Sequence, residues 1–322
     1  MRRTAAVRFA VGVAISVILL GVTLSRVDLP KTAQAIGAAA PLGLAVGVAI
    51  VLVDLVLRAT RWRVLLVGVG SPNPPTLRLA LGYLSVGFAA NAALPARLGD
   101  IARALLAATA FDMPRLTVLG TVAVERLADG LTMLTLALLS SFLVASIVEV
   151  RQLAAFGLAV AVTGAAVLVV GWFVLARSGK EAGRIRTAIL GVARRVALGA
   201  GALRSLRGAA QVAGLTVAVT LTAITVALVV ARAVGVTLTP LQAVLFLSAI
   251  ALSLAIPAAP GSLGTYEFVG VVVITSFGYL PEQALATMIL MRVVTAFPPA
   301  ICGVVALVAL HIRPRTLVAG GG

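Results

Sequence analysis

The stretch Asn91-Ala92-Ala93-Leu94-Pro95-Ala96-Arg97-Leu98-Gly99-Asp100 has a counterpart in Pro257-Ala258-Ala259-Pro260-Gly261-Ser262-Leu263-Gly264-Thr265. Each contains Pro-x-x-Leu-Gly, with Gly four residues after Pro. Each runs on through apolar sequence to a Phe, Phe111 or Phe277, and then, fifteen residues further, to an Arg, Arg126 or Arg292. The Gly-to-Phe interval is 12 in the first copy and 13 in the second. Pro and Gly release backbone groups from helical bonding, and hydrocarbon cannot satisfy those groups. Such a break must be buried in protein or line a wet cavity. Paired interruptions in the two halves of an apolar chain are a pointer to the binding site of a transporter-like protein.

Composition agrees with a membrane protein. The 322 residues are 61% hydrophobic and 11% charged, with a mean hydropathy of +1.15, whereas a soluble domain carries about 25% charge. The net charge of +16 first indicates which loops face the cytoplasm and touch anionic lipid headgroups. Nucleic acid is a poor second partner, because aromatics make up only 5% and no separate basic domain is present. Cys302 is the sole cysteine, which excludes a disulfide within the chain. His311, the sole histidine, has no metal-ligand partner motif and reads as interfacial. Arg2, Arg3 and Arg8 precede an apolar run to Leu24 with no Ala-x-Ala-like cleavage site, which reads as an uncleaved first span.

A span needs about 20 apolar residues, and candidates lie at 7–25, 41–60, 117–145, 153–176, 211–232 and 284–310. The segment 177–210 carries Arg177, Lys180, Arg184, Arg186, Arg194, Arg195, Arg204 and Arg207 against Glu181. It is expected to be a basic cytoplasmic segment. Charge parity is met if 77–113 leaves and returns on one side and 241–279 does the same from the other. An arrangement in which every arm crosses fully also ends inside, but 98–113 is short for a span and holds Asp100, Arg103 and Asp112. Pro95, Pro257 and Pro260 fall at the hinges or tips of these hairpins. The fold expected is an all-α polytopic membrane protein, a single integral domain over 1–322. It has about six full transmembrane helices plus two re-entrant helical hairpins arranged as inverted repeats, 41–145 and 211–310. Both termini are expected on the cytoplasmic side of the plasma (inner) membrane.

Charged groups inside a span are costly and mark function. Glu125 and Asp129 share a helix face at i and i+4, with Arg126 close enough to neutralise one of them. They read either as a proton relay or as a buried ion cluster. Glu267 is the expected partner of Arg292. Arg97, Asp100 and Arg103 are spaced for pairing on one face. Gly99 and Gly264 open half-helices whose free N–H groups suit an anion. Arg97, Arg126 and Arg292 can converge on a midplane anion if the repeats obey a pseudo-two-fold axis. Asp54 and Arg58 read as a structural pair, and Arg61-Trp62-Arg63 as an interfacial anchor. No Walker loop, His-Glu-x-x-His, Gly-x-Ser-x-Gly or paired-Cys motif is present. No metal site, cofactor or enzymatic activity is expected.

Three ordered motifs carry a family resemblance over about residues 40–310. They are Tyr83-Leu84-Ser85-Val86-Gly87 through Asn91 to Asp100 and Arg103, Gly120-Thr121 followed by Glu125-Arg126-Leu127-Ala128-Asp129, and Ile256 through Glu267 with Arg292. Together with Arg61-Trp62 they resemble the transmembrane flippase-like domain of lysylphosphatidylglycerol synthases and their stand-alone relatives. The resemblance implies a protein that moves or handles lipids, including aminoacylated phosphatidylglycerol and isoprenoid-type lipids in some members. The soluble aminoacyltransferase domain of the full synthases is not seen in these residues, so lipid aminoacylation is not expected of this chain. Ser262 stands where many relatives have a second Gly.

The substrate-binding set is expected to be Asn91, Arg97, Gly99, Asp100, Arg103, Arg126, Gly261, Gly264, Thr265, Tyr266, Glu267 and Arg292, with Glu125 and Asp129 as candidates for proton coupling. The leading function is binding or translocation of an anionic phospholipid or isoprenoid lipid by alternating access. An intramembrane lipid or polyprenyl-phosphate transferase and a small-solute secondary transporter are the alternatives. Membrane lipids are the expected partners, and a homo-oligomer is compatible with this reading.

Overall fold

A computed structural model describes residues 2–71, 73–93, 98–143, 191, 197–253 and 259–311. Pro95, Arg97, Pro257, the span expected at 153–176 and most of the basic segment 177–210 lie outside the described residues. Among the described residues all regular structure is helical. The helices are α1 (Arg2–Leu24), α2 (Leu29–Gly37), α3 (Pro41–Gly68), α4 (Leu77–Ala93), α5 (Leu98–Ala110), α6 (Arg115–Leu143), α7 (Leu206–Ala233), α8 (Pro240–Ser253), α9 (Thr265–Ser276) and α10 (Pro281–Ala309). Short 3-10 turns occupy Gly201–Arg204 and Pro260–Ser262.

Proline starts several of these helices, where its missing N–H costs nothing: Pro41 in α3, Pro281 in α10 and Pro30 in α2. At α2 the Asp28 carboxylate also accepts the Lys31 N–H at 3.1 Å. Pro298 and Pro299 lie inside α10, which a packed membrane helix tolerates because neighbouring groups absorb the freed carbonyls.

α3, α7 and α10 are long and apolar enough to cross a membrane. α1 and α2, bent by 84° between them, count as a fourth such element if the pair is one span, and α1 covers the first span expected at 7–25 up to Leu24. α6 is as long as α10, at 29 residues, and carries Glu125, Arg126 and Asp129 mid-helix. Two short helices occupy each of the segments 77–113 and 241–279. α5, α8 and α9 have 13, 14 and 12 residues, about 18–21 Å each at 1.5 Å per residue. That falls short of a hydrocarbon core of about 30 Å.

Helix lengths repeat along the chain. α3, α4, α5 and α6 have 28, 17, 13 and 29 residues; α7, α8, α9 and α10 have 28, 14, 12 and 29. The packing repeats as well. α3 lies on α7, its own counterpart, while α4 lies on α10 and α8 on α6, the same pairing with the halves exchanged. Contacts α3–α4, α4–α5 and α5–α6 recur as α7–α8, α8–α9 and α9–α10.

Two main apolar cores form, one centred on each half, with Val51 of α3 reaching into the second and Cys302 of α10 packing on the first. One gathers Leu55, Trp62, Leu84, Ala104, Phe111 and Val118; the other gathers Val230, Phe246, Ile274, Met288 and Met291. Leu42, Val304 and Val308 point outward and are exposed, as lipid-facing positions should be.

Candidate functional site

Among the described residues the charged side chains inside this apolar body gather into two clusters. The larger begins on α3, where Asp54, Arg58 and Arg61 follow one another at i, i+4 and i+7 and so share a face. Arg58 Nε donates to Asp54 at 2.6 Å, and the Thr222 hydroxyl of α7 donates to the other Asp54 oxygen at 2.7 Å. Arg61 grips Asp129 of α6 with two nitrogens, at 2.6 and 3.1 Å, donates to Thr216 of α7 at 3.1 Å, and lies 3.6 Å from Glu125. Arg103 of α5 donates to Glu125 at 2.7 Å, and its guanidinium sits 4.6 Å above the Trp62 ring. The Trp62 indole N–H donates to Thr121 at 3.0 Å. Arg61 and Arg103 are each only 1% exposed.

This geometry corrects the interfacial reading of Arg61-Trp62-Arg63. Arg61 and Trp62 are buried at the junction of α3, α5, α6 and α7, and only Arg63 turns aside, to the Pro75 carbonyl at 2.8 Å. Arg126 does stand beside Asp129, at 3.9 Å, as its spacing suggested, but Arg61 is the closer partner and Arg126 also donates to Asp100 at 2.8 Å. Four arginines (58, 61, 103, 126) face four carboxylates (54, 100, 125, 129). Desolvation of each charge is thereby offset by a partner, which such burial requires.

The second cluster surrounds the turn before α9. Arg292 Nε donates to Glu267 at 2.7 Å and Nη1 to the Gly261 carbonyl at 2.7 Å, with its guanidinium 4.6 Å above Tyr266. Glu267 was the partner expected for Arg292. Its other oxygen accepts the Gly264 N–H at 2.7 Å. In the first half the Gly99 N–H goes to the Asn91 side chain at 2.9 Å. The N–H groups of Gly99 and Gly264, expected to be free for an anion, are therefore capped by the protein's own side chains. Thr265 is fully buried and donates to the Ser262 carbonyl at 3.1 Å.

The two clusters share one device. In each half an acid in the first turn of the short helix, Asp100 of α5 or Glu267 of α9, holds the Arg of the following long helix, Arg126 or Arg292. Arg126 and Arg292 are 38% and 25% exposed at the side chain, far more than Arg61 or Arg103. Arg126 Nε lacks a hydrogen-bond partner. Among the described residues Arg126 and Arg292 share no ion-pair partner. No group of three or more described His, Cys, Asp or Glu side chains could hold a metal ion.

Gly261, Ser262 and Gly264 have φ of 70°, 54° and 84°, so the turn before α9 is left-handed at three of four positions. Glycine accepts this freely and serine does not. Ser262→Gly is expected to raise stability by about 0.5–1 kcal/mol, and Ser262→Val to lower it by about 1–2 kcal/mol. Thermal unfolding of the purified variants in one detergent checks both signs.

The model of the family described as the lysylphosphatidylglycerol synthase TM region matches residues 9–303. No curated protein matches the chain. The match takes in both hairpin segments and both arginine–carboxylate clusters, and the chain belongs to the lysylphosphatidylglycerol synthase TM region family.

Proposed function

We propose that this protein binds the headgroup of an anionic phospholipid or isoprenoid lipid between two inverted repeats and passes it between leaflets. In this reading α4–α5 and α8–α9 are re-entrant hairpins entering from opposite sides. The repeats span 41–145 and 211–310, and both termini lie on the cytoplasmic face of the plasma membrane. The exchanged packing of α4 on α10 and α8 on α6 supports the two-fold relation, since related units must contact one another reciprocally.

The observation that carries the lipid site is the matched pair Arg126–Asp100 and Arg292–Glu267. Both arginines are reachable, whereas Arg61 and Arg103 are sealed. A lipid phosphate offers the acceptors that a guanidinium can use in place of a carboxylate. Exchange of phosphate for Asp100 or Glu267 would free the start of α5 or α9, linking headgroup binding to movement of a hairpin. Membrane lipids are the partners this requires.

The test is translocation of a fluorescent anionic phospholipid in reconstituted vesicles. Arg126→Gln and Arg292→Gln are each expected to slow it by about tenfold, the loss of one charged hydrogen bond. Arg→Lys at either position is expected to fall between, because it keeps the charge without the fork. Wild-type rates in folded Gln variants at both positions would sink the assignment.

A further inference from the structure

We propose that α1 is a clamp on the second hairpin tip and that Ser16 is the positioning residue through which it acts. The Ser16 side chain is buried at 4% exposure, and its hydroxyl oxygen accepts the Ala259 N–H at 2.8 Å. The Gly264 backbone lies so close to the Ser16 carbonyl that a Cβ there would overlap it. α1 packs on α9, and after the 84° bend α2 packs on α10. At that end the Asp28 N–H reaches Glu282 of α10 at 3.4 Å. The first two helices thus pack on α9 and α10 of the opposite half of the chain.

In both hairpins the turn glycine is capped from within, Gly99 by Asn91 and Gly264 by Glu267. The second turn has in addition a partner from outside the repeat, Ser16 for the Ala259 N–H. Ala259 stands immediately before the 3-10 turn, and its N–H has no helical acceptor. An N–H left unpaired in an apolar surround is costly, so the serine hydroxyl fixes that peptide. From there a short chain of bonds leads to the arginine. The Ala259 carbonyl accepts the Ser262 N–H at 2.9 Å, and the Gly261 carbonyl between them accepts from Arg292. Ser16 therefore sets the plane of the carbonyl that orients Arg292, the arginine of the second half.

The test is hydrogen–deuterium exchange of the full chain in lipid nanodiscs. Ser16→Ala is expected to speed exchange across 261–264 by about tenfold, as loss of one hydrogen bond should. Residues 98–110 of the first hairpin are expected to keep their rate, and Ser16→Thr, which retains the hydroxyl, to restore protection. Unchanged exchange at 261–264 would overturn the proposal, and so would equal loosening by Ala and Thr. Thermal unfolding of the Ser16→Ala protein guards against simple misfolding: loosening confined to 261–264 marks a local effect, and equal loosening of 98–110 would overturn the proposal. Translocation should fall with Ser16→Ala and recover with Ser16→Thr. That arm rests on the transport reading above, and the exchange measurements stand without it.

Discussion

Replacing Arg61 by Met is expected to lower stability by about 3–5 kcal/mol, the usual cost of removing one partner from a buried ion pair. The side chain is 1% exposed and serves three elements at once, gripping Asp129, approaching Glu125 and donating to Thr216. Met fills a similar volume, so lost packing is a minor part of the effect. What remains is Asp129 without its close partner: Arg58 and Arg126 stand 3.8 and 3.9 Å away but are committed to Asp54 and Asp100, while Glu125 keeps Arg103. Arg61→Lys should recover only part of the loss, because an ammonium cannot make the two-pronged contact to Asp129. Asp129→Asn added to Arg61→Met should make the double variant less unstable than the sum of the singles, since the second change removes the charge the first has stranded. Thermal unfolding of the four proteins in one detergent measures this. A loss below about 1 kcal/mol for Arg61→Met, the range of an exposed pair, would show that the cluster is solvated rather than buried.

Arg61 also marks where sequence reasoning stopped. Apolarity alone ends the second span at residue 60, because Arg58, Arg61 and Arg63 look like a membrane boundary. The helix continues to Gly68 because the arginines meet acids from α6 rather than water. Those acids are sixty-eight residues away in the case of Asp129, and local pattern carries no record of such a partner. One signal was present: Asp54, Arg58 and Arg61 recur at i, i+4 and i+7, which already places them on one face. The pairing of Arg292 with Glu267 was legible because both sit in one repeat. The pairing of Arg126 with Asp100 was available by analogy with the second copy, where the acid also follows Pro-x-x-Leu-Gly. The short helices Leu77–Ala93 and Leu98–Ala110 fall within 77–113, and Pro240–Ser253 and Thr265–Ser276, but for Pro240 itself, within 241–279, the two segments that proline and glycine had set apart. The α1–α2 strap was not legible. Ser16 is one small polar residue in an apolar helix, and its partner is 243 positions away.

Gly303→Ala is expected to cost about 2–3 kcal/mol, the upper part of the range for overpacking a tight contact. Gly303 lies where α10 crosses α4, and an added Cβ would overlap the Ser85 carbonyl and come within 2.7 Å of the Ala89 methyl. The Ser85 obstacle is backbone, so no rotamer change can relieve it. Between membrane helices there is little hydrophobic gain from association, and close backbone approach at small residues is what holds the crossing. The α4–α10 crossing also joins the two halves, so a wedge there should separate them rather than loosen one helix locally. Gly130→Ala supplies the contrast. Gly130 is interior to α6, and a methyl added there would meet nothing within 4 Å. Alanine at that position should stabilise by about 0.5–1 kcal/mol through its better helix propensity. Thermal unfolding of both variants in the same detergent therefore separates propensity from packing. Opposite shifts are expected, and a Gly303→Ala protein as stable as the Gly130→Ala one would mean that α4 and α10 do not meet as closely as the structure places them.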